Sequence, residues 1–303
     1  MEHSKRIALS IVAACIVASC GQEQAAQQET SSTKTAASAP APSSLRLYVF
    51  DCGTMQTDLS RFRLEAKEVA TNVLATPCFM VAHPRGTLMW DVGAVPDGDW
   101  MPTGSPVAHH LTLPDMSTRD LTLNKPLLAQ MKEAGFEPAD IDYLALSHYH
   151  WDHVANANAF ANATWLVRRE ERDAMFSEQP PVTMPQWYAN LKDSKTEVIG
   201  GETYDVFGDG TVVIMNAPGH TPGHQILYLK LAQTRDVILS GDLYHFKEAR
   251  DLKRVPTFDF DPTLTPVSRE KAEAFLATSG AQLWIQHDSQ LIASLKKAPE
   301  YYE

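Results

Sequence analysis

Seven residues in this chain have side chains and spacing suited to holding metal. His148, His150, Asp152 and His153 lie in SHYHWDH, His220 in APGHTPGH, Asp242 in LSGDLYH and His287 in WIQHD. An imidazole offers one nitrogen to a metal, and a carboxylate can span two metals through its two oxygens. His148 and His150 are two apart in a loop after a strand, so both rings can converge on one ion. Asp152 and His153, at the start of the following helix, can turn toward a second. His220 would complete the histidines of the first site and His287 those of the second, with Asp242 between the ions. Two divalent cations held side by side activate water and polarise a carbonyl, so the chemistry expected is metal-dependent hydrolysis. A set of unrelated surface and core histidines is the bland alternative, and motifs in this order make coincidence a poor account of it.

The elements around these motifs alternate between strand and helix. Leu45 to Phe50 opens the folded part as a strand, with Leu45, Leu47 and Val49 alternating against Arg46, Tyr48 and Phe50. Cys78–His83 and Thr87–Val92 read as a hairpin about Pro84-Arg85-Gly86. Asn124 can cap a helix running to about Ala134, with Gly135 as its stop. Ile141–Leu146 reads as a buried strand delivering His148, followed by a helix from Asp152 to Phe160. Further strands are expected at Thr211–Asn216, Gln225–Leu231, Val237–Ser240 and Leu283–Gln286, with a helix at Ser268–Ser279. The ligands therefore fall where strands end.

Composition narrows the partners. Hydrophobic residues make up 44% and charged residues 21%, as in an ordinary globular protein. The formal charge of −11 lacks the basic stripe that nucleic acid requires and points to a neutral small molecule. Residues 1–20 read as an export signal: Lys5 and Arg6 precede an apolar run from Ile7 to Val17, too short to span a membrane as a mature helix. Val17-Ala18-Ser19-Cys20 resembles a bacterial lipobox, which implies acylation at Cys20, and Gly21 implies sorting to the outer membrane. Residues 21–44 are rich in Gln, Ala, Ser, Thr and Pro and read as a flexible tether, leaving 45–303 as the catalytic domain. Contact with a membrane is expected only through that anchor. Cys52 and Cys78 can pair in an oxidising periplasm or remain as buried thiols.

The motifs resemble those of the metallo-β-lactamase superfamily from about Leu45 to the C-terminus. That resemblance implies an α/β fold, the αββα sandwich of two mixed β-sheets flanked by helices. It also implies a site for two divalent metals, usually Zn2+, at the sheet edge, where a hydroxide is held for attack and Asp152 can shuttle a proton. Asp242 disfavours the β-lactamases proper, which generally lack a carboxylate at that point. A glyoxalase II-like thioesterase would add a helical, basic C-terminal module, and nucleases would need a basic surface. SHYHWDH, APGHTPGH, SGDLYH and QHDSQLIASLKKAPEYYE are most similar to the N-acyl homoserine lactonases, which open a neutral lactone ring. There is one departure: the Tyr expected three residues after the bridging Asp is His245 here, with Tyr244 one earlier. Either could hydrogen-bond the lactone.

Other readings are a β-lactamase-like or thioester-cleaving hydrolase and an iron-dependent oxidoreductase. A non-enzymatic metal-binding scaffold is the weakest of them. Asp91 and His224 are expected to support the ligands from behind. Substrate-facing loops are expected at Trp100–Asp120 and at Met175–Tyr188, the latter with Phe176, Met184, Trp187 and Tyr188. His109 and His110 read as solvated loop residues.

Overall fold

Leu47 and Val49 point to one side of the first strand and Tyr48 and Phe50 to the other, and all four are buried. A strand apolar on both faces must be covered on both, and the layers follow from that. The computed structural model describes residues 42–100, 107–178 and 183–303. The expected export signal at 1–20 and nearly all of the expected tether at 21–44 lie outside the described residues.

A seven-stranded sheet runs in spatial order Thr196–Ile199, Thr164–Arg168, Tyr143–Ala145, Gly86–Trp90, Cys78–His83, Arg46–Phe50 and Tyr301–Tyr302. Its first four strands are mutually parallel and the rest antiparallel. A second sheet of five strands is ordered Thr203–Asp205, Val212–Asn216, Gln225–Leu229, Val237–Leu239 and Gln282–Trp284. Between the two sheets, Leu47, Val49, Phe79, Leu88 and Trp90 pack with Ile214, Leu227, Leu229, Leu239 and Trp284. On the outer face of the first sheet, Met80, Met89, Leu144 and Trp165 are covered by Leu127, Met131, Tyr188 and Leu191. Beyond the second sheet, Ile226 and Ile238 meet Ala272 and Leu276 of the helix Leu264–Ser279. The result is the expected αββα sandwich.

The elements that differ from expectation do so for visible reasons. Residues 152–160 are not one helix: Trp151–Val154 is α-helical and Ala157–Phe160 is 3₁₀. Asn156 between them turns its amide to the backbone of another segment, donating to Val92 and Val95 carbonyls and accepting from the Asp97 N–H. The helix expected from Asn124 spans Leu127–Glu133, and its cap comes from elsewhere. Asp97 accepts from the Leu127 and Leu128 N–H groups, while the Asn124 amide donates to Asp51.

Within the segment read as a loop, Val107–Thr112 pairs with Thr118–Leu123 in a third, four-stranded sheet. His109 and His110 therefore lie on a strand; His109 is half-buried, and exposed His110 pairs with Asp120 at 2.6 Å. The late helix begins at Leu264, four residues before Ser268. Cys52 and Cys78 form a disulfide, which settles the two alternatives in favour of pairing.

Candidate metal centre

Each ligand motif sits just past the end of a strand, and packing of the sheets brings these ends together. His148 follows Tyr143–Ala145, His220 lies between Val212–Asn216 and Gln225–Leu229, Asp242 follows Val237–Leu239, and His287 follows Gln282–Trp284. Gly241 is needed at the third of these turns. Its φ is +48°, and a Cβ there would stand 2.6 Å from His224 Nε2 and 2.8 Å from Ser147 Cβ.

Asp242 is the centre of the cluster, fully enclosed, with its two oxygens facing different sets of rings. Oδ2 lies 3.1 Å from His220 Nε2, 2.9 Å from His245 Nε2 and 3.4 Å from His148 Nε2. Oδ1 lies 2.9 Å from His287 Nε2 and 3.1 Å from His153 Nε2. Asp152 stands 3.7 Å from His287 Nε2 on the same side. One group of possible ligands is thus His148, His150, His220 and Asp242; a second is Asp152, His153 and His287. All seven sequence-derived ligands converge, and a third, overlapping group of Asp242, His245 and His287 brings His245 within ligand reach as well.

The donor set fits cations. His153 Nδ1 is 2.9 Å from an Asp91 oxygen, His220 Nδ1 is 2.8 Å from Asp259, and His287 Nδ1 is 2.6 Å from the Ala75 carbonyl. Those oxygens only accept, so each Nδ1 carries a proton and each Nε2 is the atom the ring turns inward. The inward nitrogens crowd together: His150 Nδ1 is 2.9 Å from both His148 Nε2 and His220 Nε2, and His153 Nε2 is 3.3 Å from His287 Nε2. Asp242 Oδ1 accepts no hydrogen bond from the described residues although it is buried. Ring nitrogens crowded together and an unsatisfied buried oxygen are what a divalent cation with nitrogen and oxygen ligands resolves.

The electrostatics agree. Burial holds His148 and His150 well below the ordinary imidazole value. Burial also opposes protonation of His220 and His153, yet the neighbouring carboxylates win. His220 is pushed up to about 9 by Asp242 and Asp259, and His153 well above its ordinary value by Asp242 and Asp91. The cluster draws positive charge inward.

Supporting groups hold the ligands from behind. Asp91 accepts from the Ser147 N–H at 2.6 Å and from the Gln286 amide at 2.8 Å, besides its contact with His153. His224 donates Nδ1–H to the Ala217 carbonyl and accepts the Asp242 N–H at Nε2, and burial pushes its pKa down to about 3. Both stand where the sequence reading placed them. Glu171 was missed: buried, it accepts from the Tyr149 and Gly223 N–H groups and the Thr221 hydroxyl. It thereby ties the SHYHWDH loop to the GHTPGH loop, and nothing in its own helical sequence, RREER, announces it. Asp259 was missed as well.

The expectation for Tyr244 needs correction. Backbone at Tyr244 is extended, with φ −141° and ψ 138°, so it and His245 point to opposite sides. Its hydroxyl donates to Glu273 at 2.9 Å, and the Arg269 guanidinium lies 4.4 Å above its ring, away from the centre. His245 faces the site, stacked on His287 at 5.2 Å, with the tilted Phe62 ring 4.8 Å away.

A cavity of about 350 Å³ opens onto His150, Asp152, His220, Asp242 and His245. Met55, Phe62, Leu74, Trp151 and Phe258 give it apolar walls, and Arg61, Asp115 and Arg119 add charge. Leu113, Asp115 and Arg119 come from the segment expected to face substrate. The described residues of the other expected stretch do not line it: Met175, Trp187 and Tyr188 are core residues and Phe176 packs on Trp165 and Tyr188, while residues 179–182 lie outside the described residues.

Comparison with known proteins agrees with this geometry. The metallo-beta-lactamase superfamily model matches residues 71–276. The chain is 29% identical over 272 residues to the N-acyl homoserine lactonase AttM of Rhizobium radiobacter, covering 86% of this chain and 99% of that protein. It is 26% identical over 262 residues to the N-acyl homoserine lactonase AiiA of Bacillus thuringiensis subsp. kurstaki, covering 84% and 98%. A crystal structure of a B. thuringiensis AiiA mutant with N-decanoyl-L-homoserine bound at the active site superposes with a TM-score of 0.68, at 25% identity, over 84% of this chain and 98% of that one. Fold, ligand set and family match together place this chain in the metallo-beta-lactamase superfamily.

Proposed function

We propose that the protein is a hydrolase that opens the lactone ring of N-acyl homoserine lactones with two divalent metal ions, Zn2+ in our reading. The observation that carries this is the placement of Asp242, whose two oxygens face two separate groups of ligands. His148, His150 and His220 would hold one ion, Asp152, His153 and His287 the other, and Asp242 both. Bound there, the ions supply Lewis acidity toward a carbonyl and bring the pKa of water to about 7.

The chain's own residues do the rest. The apolar walls of the cavity take the acyl part and shed water from it. Asp152, at the cavity floor, is placed to receive a proton and return it to the leaving oxygen. His245, kept neutral because burial pushes its pKa down to about 4, donates to Asp242 and presents its ring to the substrate. The lipobox-like Cys20 supports export and a lipid anchor at the outer membrane, where diffusible neutral lactones are accessible.

A pH-stat assay on homoserine lactones of varied acyl length, beside nitrocefin and a glutathione thioester, tests the reading. Base uptake with the lactones is expected, and turnover of nitrocefin alone would overturn it. Asp242→Ala is expected to lose activity together with one metal; full activity in that variant would remove the shared-carboxylate mechanism.

A further inference from the structure

We infer that Asp259 is a positioning residue of the metal centre, fixing His220 so that its Nε2 faces Asp242; this rests on the metal-centre reading above. Its Oδ1 lies 2.8 Å from His220 Nδ1, and its Oδ2 accepts the Thr265 hydroxyl at 2.6 Å. The side chain is 1% exposed. Both oxygens are thus engaged, one by the ring and one by the first turn of the helix Leu264–Ser279.

The backbone makes the placement specific. Phe260 N–H donates to the His220 carbonyl at 3.1 Å, and Asp261 N–H donates to the Gly219 carbonyl at 2.8 Å. Residues 259–261 are therefore clamped onto the histidine they serve. Among the other histidines, His148 is backed by the Ser147 hydroxyl and His287 by the Ala75 carbonyl, while His153, like His220, is backed by a carboxylate, that of Asp91. Each half of the centre then has one imidazole backed by a carboxylate, His153 in one and His220 in the other. A carboxylate that accepts Nδ1–H sets the tautomer and ring orientation and makes the other nitrogen a better ligand, an effect of roughly 10–100-fold on metal affinity. The same short segment carries Phe258, a cavity wall whose ring stands 5.7 Å from that of His220. Metal affinity on this side and the shape of the cavity therefore depend on one clamp.

The test is competition for Zn2+ against a chromophoric chelator, using the full chain and its Asp259→Ala, Asp259→Asn and Thr265→Val variants. Thermal unfolding of each metal-free protein is measured in parallel. Asp259→Ala is expected to weaken one of two Zn2+ ions by roughly 10–100-fold and leave the other unchanged. Asp259→Asn keeps an acceptor for the ring and should recover part of the loss; Thr265→Val should lose less than Asp259→Ala at the same site. Metal-free melting temperatures should stay close to that of the parent. Unchanged affinity at both sites in Asp259→Ala would overturn the inference. So would equal weakening of both ions that follows a fall in metal-free stability. Should Asp259→Ala not fold, the ordering of Asp259→Asn and Thr265→Val against the parent decides it. A parent chain that binds no Zn2+ would instead refute the metal-centre reading itself.

Discussion

His245 stands where a substrate contact and a metal ligand are hardest to tell apart, because its Nε2 touches the same Asp242 oxygen as His220. Its role is separable by measurement. His245→Ala is expected to lower kcat/KM by about 10- to 100-fold, the loss of one hydrogen bond to a charged group, with metal content retained. Loss of a metal at unchanged affinity for substrate would make it a ligand. A second residue-scale prediction lies far from the centre. Buried His83 stacks on Phe207 at 4.2 Å, accepts the Arg85 N–H at Nδ1 and contacts Asp209 through Nε2. Burial lowers its pKa despite Asp209, so the unfolded chain takes up the proton first. Its contribution to stability is then full above pH 6.5 and is lost as pH falls from there through the lowered value. Urea unfolding at pH 8 and pH 5.5 should show a larger loss for the parent than for His83→Gln, and equal losses would refute it. At this scale the sequence is most readable for ligands, since few side chains can bind metal and each occurs in a short motif. Asp259 and Glu171 were not readable: a carboxylate that serves a histidine 39 residues away has no local pattern to mark it.

Elements were legible where they are governed by their own residues and illegible where a distant side chain intervenes. Cys78–His83 falls where the apolar run sets it, since every residue of that strand is buried. The helix at Leu127–Glu133 starts where it does because Asp97, 30 residues earlier, caps it. Asp97→Ala should therefore cost about 1–2 kcal/mol, the usual worth of a cap, readable by denaturant unfolding. Asn124→Ala should cost less, because Asn124 bonds Asp51 rather than the helix. Equal costs would restore the cap to Asn124. Asn156 splits the helix after the ligand motif in the same manner, by bonding to Val92 and Val95 instead of its own turn. The hairpin Val107–Thr112 with Thr118–Leu123 escaped notice because, although burial alternates regularly along its second strand, only two of its three inward positions, Leu121 and Leu123, are apolar, the third being Arg119.

On the scale of the molecule, the motifs show which residues meet but not how the two sheets bring them together. His148, His150, Asp152 and His153 extend from the seven-stranded sheet, and His220, Asp242 and His287 from the five-stranded one. Each proposed ion takes ligands from both, so binding metal ties the two halves of the sandwich across their common edge. Unfolding must break that tie, and a ligand that binds only the folded state adds RT ln(1 + [L]/Kd) to stability. With free Zn2+ at 100 times Kd, each site contributes about 2.7 kcal/mol. For a domain of this size that is roughly 5–10 °C in Tm per site. Chelation should lower Tm by at least that amount, and adding Zn2+ back should restore it. His148→Ala and His287→Ala, which disable one side each, should give intermediate values with a reduced response to chelator. If the parent's Tm were indifferent to chelator and to added metal, the histidines would be linking the sheets by packing alone.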